Sequence, residues 1–445
     1  MKIGVNVHLK HLGTINFKLL LVLILTSFIP LVYSTTRIHF LGNLPEPWAF
    51  SIAAQVAWLN VGYEVISETL LIPLAFILGQ VITDEQAYQK RVSTSLGVVL
   101  SCYLGVTLIV ILLTPSLVNA MQQQNELVLQ TIDYIRLESI AIFISSVFAF
   151  FSLVLVLKNN QRALYGLLAI QTVFTLLCDS FLVSQFSFSL ALGVNGIAIT
   201  NIMVNLLLAL ISIAYLSRSG IKLGRFSVYR QVWLKEWIKI GWKSGLESLV
   251  RNTAFIVMIL QLINQVQQSG PFWVTNQFIW GWLLLPILAL GRLIKQDAAT
   301  NKGLSPERVN HYFLLTFGFI VIWLLTIPVW ESFIHRVMGI KNATEIVQLA
   351  LLMVGFYIIF SFNNVIDSYF YGIGRTDLML YQSLIVNSVF YGGAFMAYQI
   401  GWFEPSLNKI AIMFGLGITV DAVITFAIYV MLRRQEQSTF STVLN

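Results

Sequence analysis

The stretch LLIPLAFILGQ, Leu70 to Gln80, returns about 215 residues later as LLLPILALGRL, Leu283 to Leu293, and this echo decides the reading of the fold. Each copy is an apolar run interrupted by one proline and followed by a short polar turn. A second pair stands at nearly the same offset: NNQRALY, ending at Tyr165, and GIGRTDLMLY, ending at Tyr381. Two matches at one offset, with the same kind of turn beside them, read as a duplication. Around them the chain divides into about twelve apolar runs, six in each half. The first half has runs at about 19–36, 48–80, 93–114, 136–157, 163–183 and 193–217. The second has runs at about 238–264, 272–294, 311–334, 345–371, 378–400 and 409–432. A bilayer core takes about 20 apolar residues per helix. The expected fold is an all-α polytopic membrane protein with about 12 transmembrane helices in two pseudo-symmetric six-helix bundles.

Composition says the same. The 445 residues are 57% hydrophobic and only 11% charged, too few charges to cover a water-exposed surface of this size. A soluble enzyme and a nucleic-acid binder are excluded on that ground. Cys102 and Cys178 both lie in apolar runs, which leaves no disulfide framework. The five histidines, His8, His11, His39, His311 and His335, are scattered at loops and ends without ligand spacing. No P-loop or catalytic triad stands in the sequence, so ATP is not expected to drive the protein directly.

If the N-terminus is cytoplasmic, about 20 of the 27 Lys and Arg residues fall on that side. This asymmetry places both termini in the cytoplasm. The start resembles a signal peptide without a cleavage site and reads as an uncleaved first helix. Expected domains are an N-terminal bundle at 1–217, a linker at 218–237, a C-terminal bundle at 238–432 and a tail at 433–445. The linker alternates basic residues with Phe226, Tyr229, Trp233 and Trp237, a pattern suited to a helix lying on an anionic leaflet. Halves with an even number of spans share one orientation, so their pseudo-axis runs along the membrane normal and the bundles are expected to enclose a central cavity.

Several stretches resemble a known family. LGNLPEPWAFSIAAQVAWLNVGYEVISETLLIPLAFILGQ, from Leu41 to Gln80, is similar to the second span of multidrug and toxic compound extrusion (MATE) transporters. LGVNGIAIT, Leu192 to Thr200, resembles the family's opening of span six. Asp179 in LLCDSFLV and the stretch DSYFYGIGRTDLML after span ten also follow family patterns. The resemblance implies a divergent member of the wider superfamily that also holds oligosaccharide-lipid flippases. It implies a two-bundle fold that carries amphipathic cargo outward by alternating access, with Pro30 as a hinge in the first helix. Two departures stand out. The family's span-one aspartate is missing from LVYSTTRIHFLG, where Ser34 or Arg37 is near the expected place, and Arg251 falls where many bacterial members carry a coupling glutamate.

Ionisable residues inside a membrane are costly, so each is a functional candidate. Glu64 and Glu68, spaced i,i+4, share one face of the second span. Two such carboxylates, about 6 Å apart, repel when both are charged and suit one exchangeable proton. Lys243, Glu247 and Arg251 form a second stripe, in which Glu247 can pair with either base. Asp367, beside Asn363 and Asn364, is a third candidate and a potential partner of Arg251. Asp179 and Asp421 are read as packing groups. In span eight, Trp273, Gln277 and Trp280 are expected on one face, an aromatic wall for flat apolar or cationic molecules.

The function expected is a secondary active exporter, an antiporter, for small amphipathic molecules. No cofactor is expected; H+ or Na+ enters as a transported ion, and the partners are the substrate and the lipid bilayer, with the chain a monomer in the plasma (bacterial inner) membrane. The departures suggest two options: Glu64 and Glu68 carry the coupling, or Arg251 grips an anionic or zwitterionic cargo. The alternatives are a flippase for a lipid-linked or peptide-like cargo and a lipid-modifying membrane enzyme.

Overall fold

The computed structural model describes residues 15–44, 48–158, 160–218, 232–301 and 303–444. Among the described residues there is no strand. Eleven helices are long and apolar enough to cross a bilayer, and a bent helix pair brings the number to twelve. The chain is an integral membrane protein. In chain order the spans are α1 Phe17–Gly42, α2 Ala49–Gly79, α3 Glu85–Ala120, α4 Asn125–Leu157, α5 Arg162–Leu182 and α6 Gly193–Arg218. They continue as α7 Val232–Gln265, the bent pair Ser269–Leu283 and Leu285–Thr300 as α8, α9 Pro306–Arg336, α10 Ala343–Gly372, α11 Thr376–Gln399 and α12 Leu407–Gln435. Polar turn residues start several of them. Asp84, Asn160 and Ser305 each accept from a backbone N–H three residues on, at 3.0, 3.3 and 3.3 Å, and so satisfy a donor the helix leaves open.

The two echoed stretches share a backbone device. In α2 the turn Ser67–Leu71 is a wide π turn ahead of Pro73, and in α8 the turn Ile279–Leu283 is a π turn ahead of Pro286. A proline has no N–H to offer the carbonyl four residues earlier, so the ladder must widen or break there. In α8 the Leu284 N–H reaches back five residues to Ile279 O at 2.9 Å, and the helix bends by 54°.

Contacts divide the chain into two compact units. One holds the described residues of Met1–Ser34, Val274–Arg336 and Asn342–Asn445; the other holds those of Thr35–Trp273 and Val337–Lys341. This division differs from the boundaries read at 1–217, 218–237 and 238–432, because α7 groups with α2 to α6 while most of α1 groups with α8 to α12. Of the linker, residues 219–231 lie outside the described residues. Its last aromatics are buried within the protein. Trp233 and Trp237 belong to the first turns of α7, where they stack at 5.9 Å and Trp237 is fully buried. The α2–α7 unit has a core around Leu74, Ile77, Phe150, Phe151 and Trp237. The α8–α12 unit has one around Leu290, Ile294, Tyr312, Tyr369 and Phe370.

Candidate functional site

In the first unit the site begins with a close helix seam. Pro73 leaves the Thr69 carbonyl without its helical donor, and Gly241 of α7 sits directly against it: a Cβ on Gly241 would lie 1.8 Å from Thr69 O. One turn on, a Cβ on Gly245 would lie 1.9 Å from Thr69 Oγ1. With both side chains absent, α7 runs along α2 closely enough for polar groups to link the two helices at several levels. Gln80 donates to Glu236 at 3.1 Å, and the buried Trp237 Nε1 donates to Leu70 O at 2.9 Å. Ser244 Oγ donates to Glu68 Oε2 at 2.8 Å. Near the other end, Gln55 and Asn264 exchange amide hydrogen bonds of 3.0 and 2.9 Å, and Asn264 also donates to Met121 O at 2.7 Å. Trp237→Phe keeps a six-membered aromatic ring but removes the pyrrole part of the buried indole together with its bond to a buried carbonyl. It is expected to cost about 1–3 kcal/mol in thermal unfolding.

Between these levels lies the charged cluster. Glu64 is the middle residue of α2, and Arg251 lies near the middle of α7. Arg251 Nη2 donates to Glu64 Oε1 and Nη1 to Glu247 Oε1, each at 2.6 Å. Glu68 lies one turn from Glu64, held by the Ser244 hydroxyl. The structure therefore brings together four sequence candidates, Glu64, Glu68, Glu247 and Arg251, with Ser244 added. Three carboxylates face one guanidinium, which is partly exposed at 42%. Lys243 takes no part in these pairs and is exposed. Arg251 and Asp367, the other suggested pair, belong to different compact units. The guanidinium is occupied by Glu64 and Glu247, because four-residue spacing on α7 and the tight α2 seam put both carboxylates within reach.

The second unit has a polar network of its own. Asn363 Nδ2 donates to Asp367 Oδ2 at 3.0 Å and to Asp421 Oδ2 at 2.9 Å, so α10 and α12 carboxylates share one amide. Gln382 of α11 donates to Asp421 Oδ1 at 2.7 Å. Asp421, read as a packing group, stands in the same network as Asp367. Asn364 instead donates to Ile287 O of α8 at 3.2 Å. Trp280 donates through Nε1 to Tyr357 Oη at 3.1 Å, and Tyr357 donates to Asn276 Oδ1 at 3.2 Å. The Trp280 ring also meets Phe360 edge-on at 5.1 Å. The expected wall of Trp273, Gln277 and Trp280 is altered: the π turn Ile279–Leu283 changes the helical register after Gln277, and Trp273 stacks on Phe50 at 5.8 Å in the α2–α7 unit.

A third charged group was not among the sequence candidates. Arg37 Nε donates to Asp179 Oδ2 at 2.8 Å and Nη1 to Asn201 Oδ1 at 3.0 Å, while Asn201 Nδ2 donates to Glu138. The signal for it was the rule applied to Glu64: an ionisable residue within an apolar run. Glu138 was not singled out in the sequence, and Asp179 was read as a packing group.

No protein-family model matches the chain, and no curated protein matches it. Solved structures do. A multidrug-resistance MATE transporter of the MOP superfamily in an inward-facing conformation matches with a TM-score of 0.70 at 16% identity, over 92% of this chain and 95% of that one. A Vibrio cholerae MATE transporter gives 0.66 at 14% identity, over 95% and 96%. A eukaryotic MATE transporter gives 0.65 at 15%, over 92% of each chain. The class is thus set by backbone: a polytopic helical membrane protein with the fold of the MATE transporters.

Proposed function

We propose that the protein is a secondary active exporter that moves small amphipathic molecules out of the cytoplasm by alternating access, driven by a cation gradient, with the proton as the coupling ion. The observation that carries this reading is the mid-helix cluster of Glu64, Glu68, Glu247 and Arg251. An excess of carboxylate over guanidinium at membrane depth attracts cations and can take up a proton as an outgoing cationic cargo is released. The same excess speaks against an anionic cargo held by Arg251, whose donors already serve two carboxylates. In the other unit, Trp280, Tyr357 and Phe360 form an aromatic cluster whose ring faces suit flat aromatic cations. The network of Asp367, Asp421 and Asn363 is a second place for a coupling cation. Pro30 serves as the hinge of α1, since it leaves the Thr26 carbonyl without its helical donor and lies one turn before the chain passes between units at Ser34 and Thr35. The bias of Lys and Arg supports both termini in the cytoplasm, and the proposal places the chain in the plasma (bacterial inner) membrane as a monomer.

Proteoliposomes holding the purified protein and ethidium, a flat aromatic cation, test the reading. An imposed proton gradient is expected to accelerate ethidium flux in the wild type. Glu64→Gln and Glu68→Gln are expected to reduce that acceleration about tenfold or more, as for a lost proton-transfer group. Unchanged flux in both variants would remove the cluster from coupling. Loss confined to Arg251→Ala, with an acidic dye as the better cargo, would instead favour anion transport.

A further inference from the structure

The LGVNGIAIT stretch builds a second charged site in the α2–α7 unit, near the last turns of α1 and α5, the first turns of α6 and the middle of α4. Gly193 opens α6 at φ +59°, a left-handed conformation that glycine adopts without strain. The Leu192 N–H donates to Leu182 O at 2.8 Å, and a Cβ on Gly196 would lie 2.7 Å from the same oxygen. The small residue holds the start of α6 against the end of α5, which brings Asn201 and Asp179 to one guanidinium. Arg37 grips Asp179 through Nε at 2.8 Å and Nη2 at 3.2 Å, and reaches Asn201 Oδ1 through Nη1 at 3.0 Å. Since the amide oxygen faces the guanidinium, the amide nitrogen must face away. It donates to both oxygens of Glu138 on α4, at 3.0 and 3.1 Å.

Burial makes the charge balance matter. Asp179 is 1% exposed and Glu138 8%. One guanidinium stands against two carboxylates, and it gives its paired hydrogen bonds to Asp179 alone. Around Glu138 stand Asn201 of α6, Tyr134 one turn earlier on α4 and Arg37 of α1, which also holds Asp179 of α5. Among the described residues no cationic side chain forms an ion pair with Glu138. A buried carboxylate without a counter-charge is costly in a low-dielectric interior, and a proton is its simplest neutraliser. A metal cation there would meet the like charge of Arg37, which never leaves its site.

We propose that Glu138 carries an exchangeable proton, held opposite the permanent charge of Arg37 through the Asn201 amide, and that this is a coupling proton of the transport cycle. The role in coupling rests on the exporter reading above; the proton site does not. Loss of the proton leaves Glu138 and Asp179 competing for one guanidinium, so the ends of α1 and α5, the start of α6 and the middle of α4 have two preferred arrangements. Arg37 and Asn201 act as positioning residues.

Infrared difference spectra of the purified protein between acid and alkaline pH, without cargo, test the site directly. The wild type is expected to show the carbonyl band of a protonated carboxyl that disappears as pH rises, and Glu138→Gln is expected to lack one such band. Asn201→Ala keeps Glu138 but cuts its link to Arg37, and is expected to shift the pH at which that band vanishes. Identical spectra in the wild type and Glu138→Gln, or an unshifted band in Asn201→Ala, would overturn the proposal. In proteoliposomes, Glu138→Gln is expected to move ethidium at one rate with or without the proton gradient, while ethidium counterflow persists. A wild type with no gradient-driven flux would sink the exporter reading while leaving the infrared result to decide the proton site. Full gradient acceleration in Glu138→Gln would overturn the coupling role.

Discussion

Replacing Arg37 by alanine is expected to lower the stability of the protein by about 3–5 kcal/mol, the usual cost of removing one partner from a buried ion pair. The guanidinium is the only group bonded to both Asp179 and Asn201 among the described residues, and Asp179 is 1% exposed. Its removal leaves a buried carboxylate without a counter-charge and an amide oxygen without its donor. Thermal unfolding in detergent, followed by helical circular dichroism, gives the measurement. The companion variant Asp179→Asn in the Arg37→Ala background should recover part of the loss, because it deletes the stranded charge. A single variant that melts with the wild type would mean that water reaches Asp179 and that the pair is weak. Arg37→Lys should fall between the two, since an ammonium keeps the charge but cannot span both Asp179 oxygens and Asn201 in one plane.

Gly241→Val is expected to have an effect of similar size by a different route. Its Cβ would lie 1.8 Å from Thr69 O and 3.0 Å from the Pro73 ring, and a carbonyl fixed in a helix cannot step aside. Helix α7 must back away from α2, at about 3 kcal/mol or more for such overpacking. The shift would also stretch the hydrogen bonds from Trp237 to Leu70, Ser244 to Glu68 and Arg251 to Glu64. Even Gly241→Ala should destabilise, although alanine favours a helix over glycine by about 1 kcal/mol. Gly105→Ala and Gly166→Ala are controls for this sign: nothing lies within 4 Å of either added Cβ, so neither should lower the melting temperature. A Gly241→Val protein that melts normally and retains gradient-driven flux would show that the seam tolerates separation.

Much of the architecture was legible because bilayer thickness imposes a single length scale on every span. An apolar run near 20 residues has few structural alternatives to a crossing helix, so counting runs came close to counting helices. The repeat was legible for a related reason. Pro73 and Pro286 act on their own backbone four residues earlier, and both copies answered with the same π turn. Local rules also found Glu64, Glu68, Glu247 and Arg251, since four-residue spacing on a helix makes neighbours whatever lies beyond. Those rules failed at a distance. Spacing offered Glu247 to Arg251, and only the approach of α2 to α7 added Glu64.

What the sequence determined by itself was membrane residence, the number of spans, the proline-centred repeat and the residue types that carry charge into the lipid. These follow from composition and from interactions within one helix turn. The tertiary structure alone decided that α7 packs on α2, that Trp237 is buried rather than interfacial, and that Arg37 joins Asp179, Asn201 and Glu138. Each of those depends on two helices meeting at a particular rotation. The rotation is set by where glycines permit backbones to touch, as Gly196 does against Leu182 and Gly241 against Thr69. A glycine shows in the sequence, but its partner, more than 10 or even 170 positions away, does not.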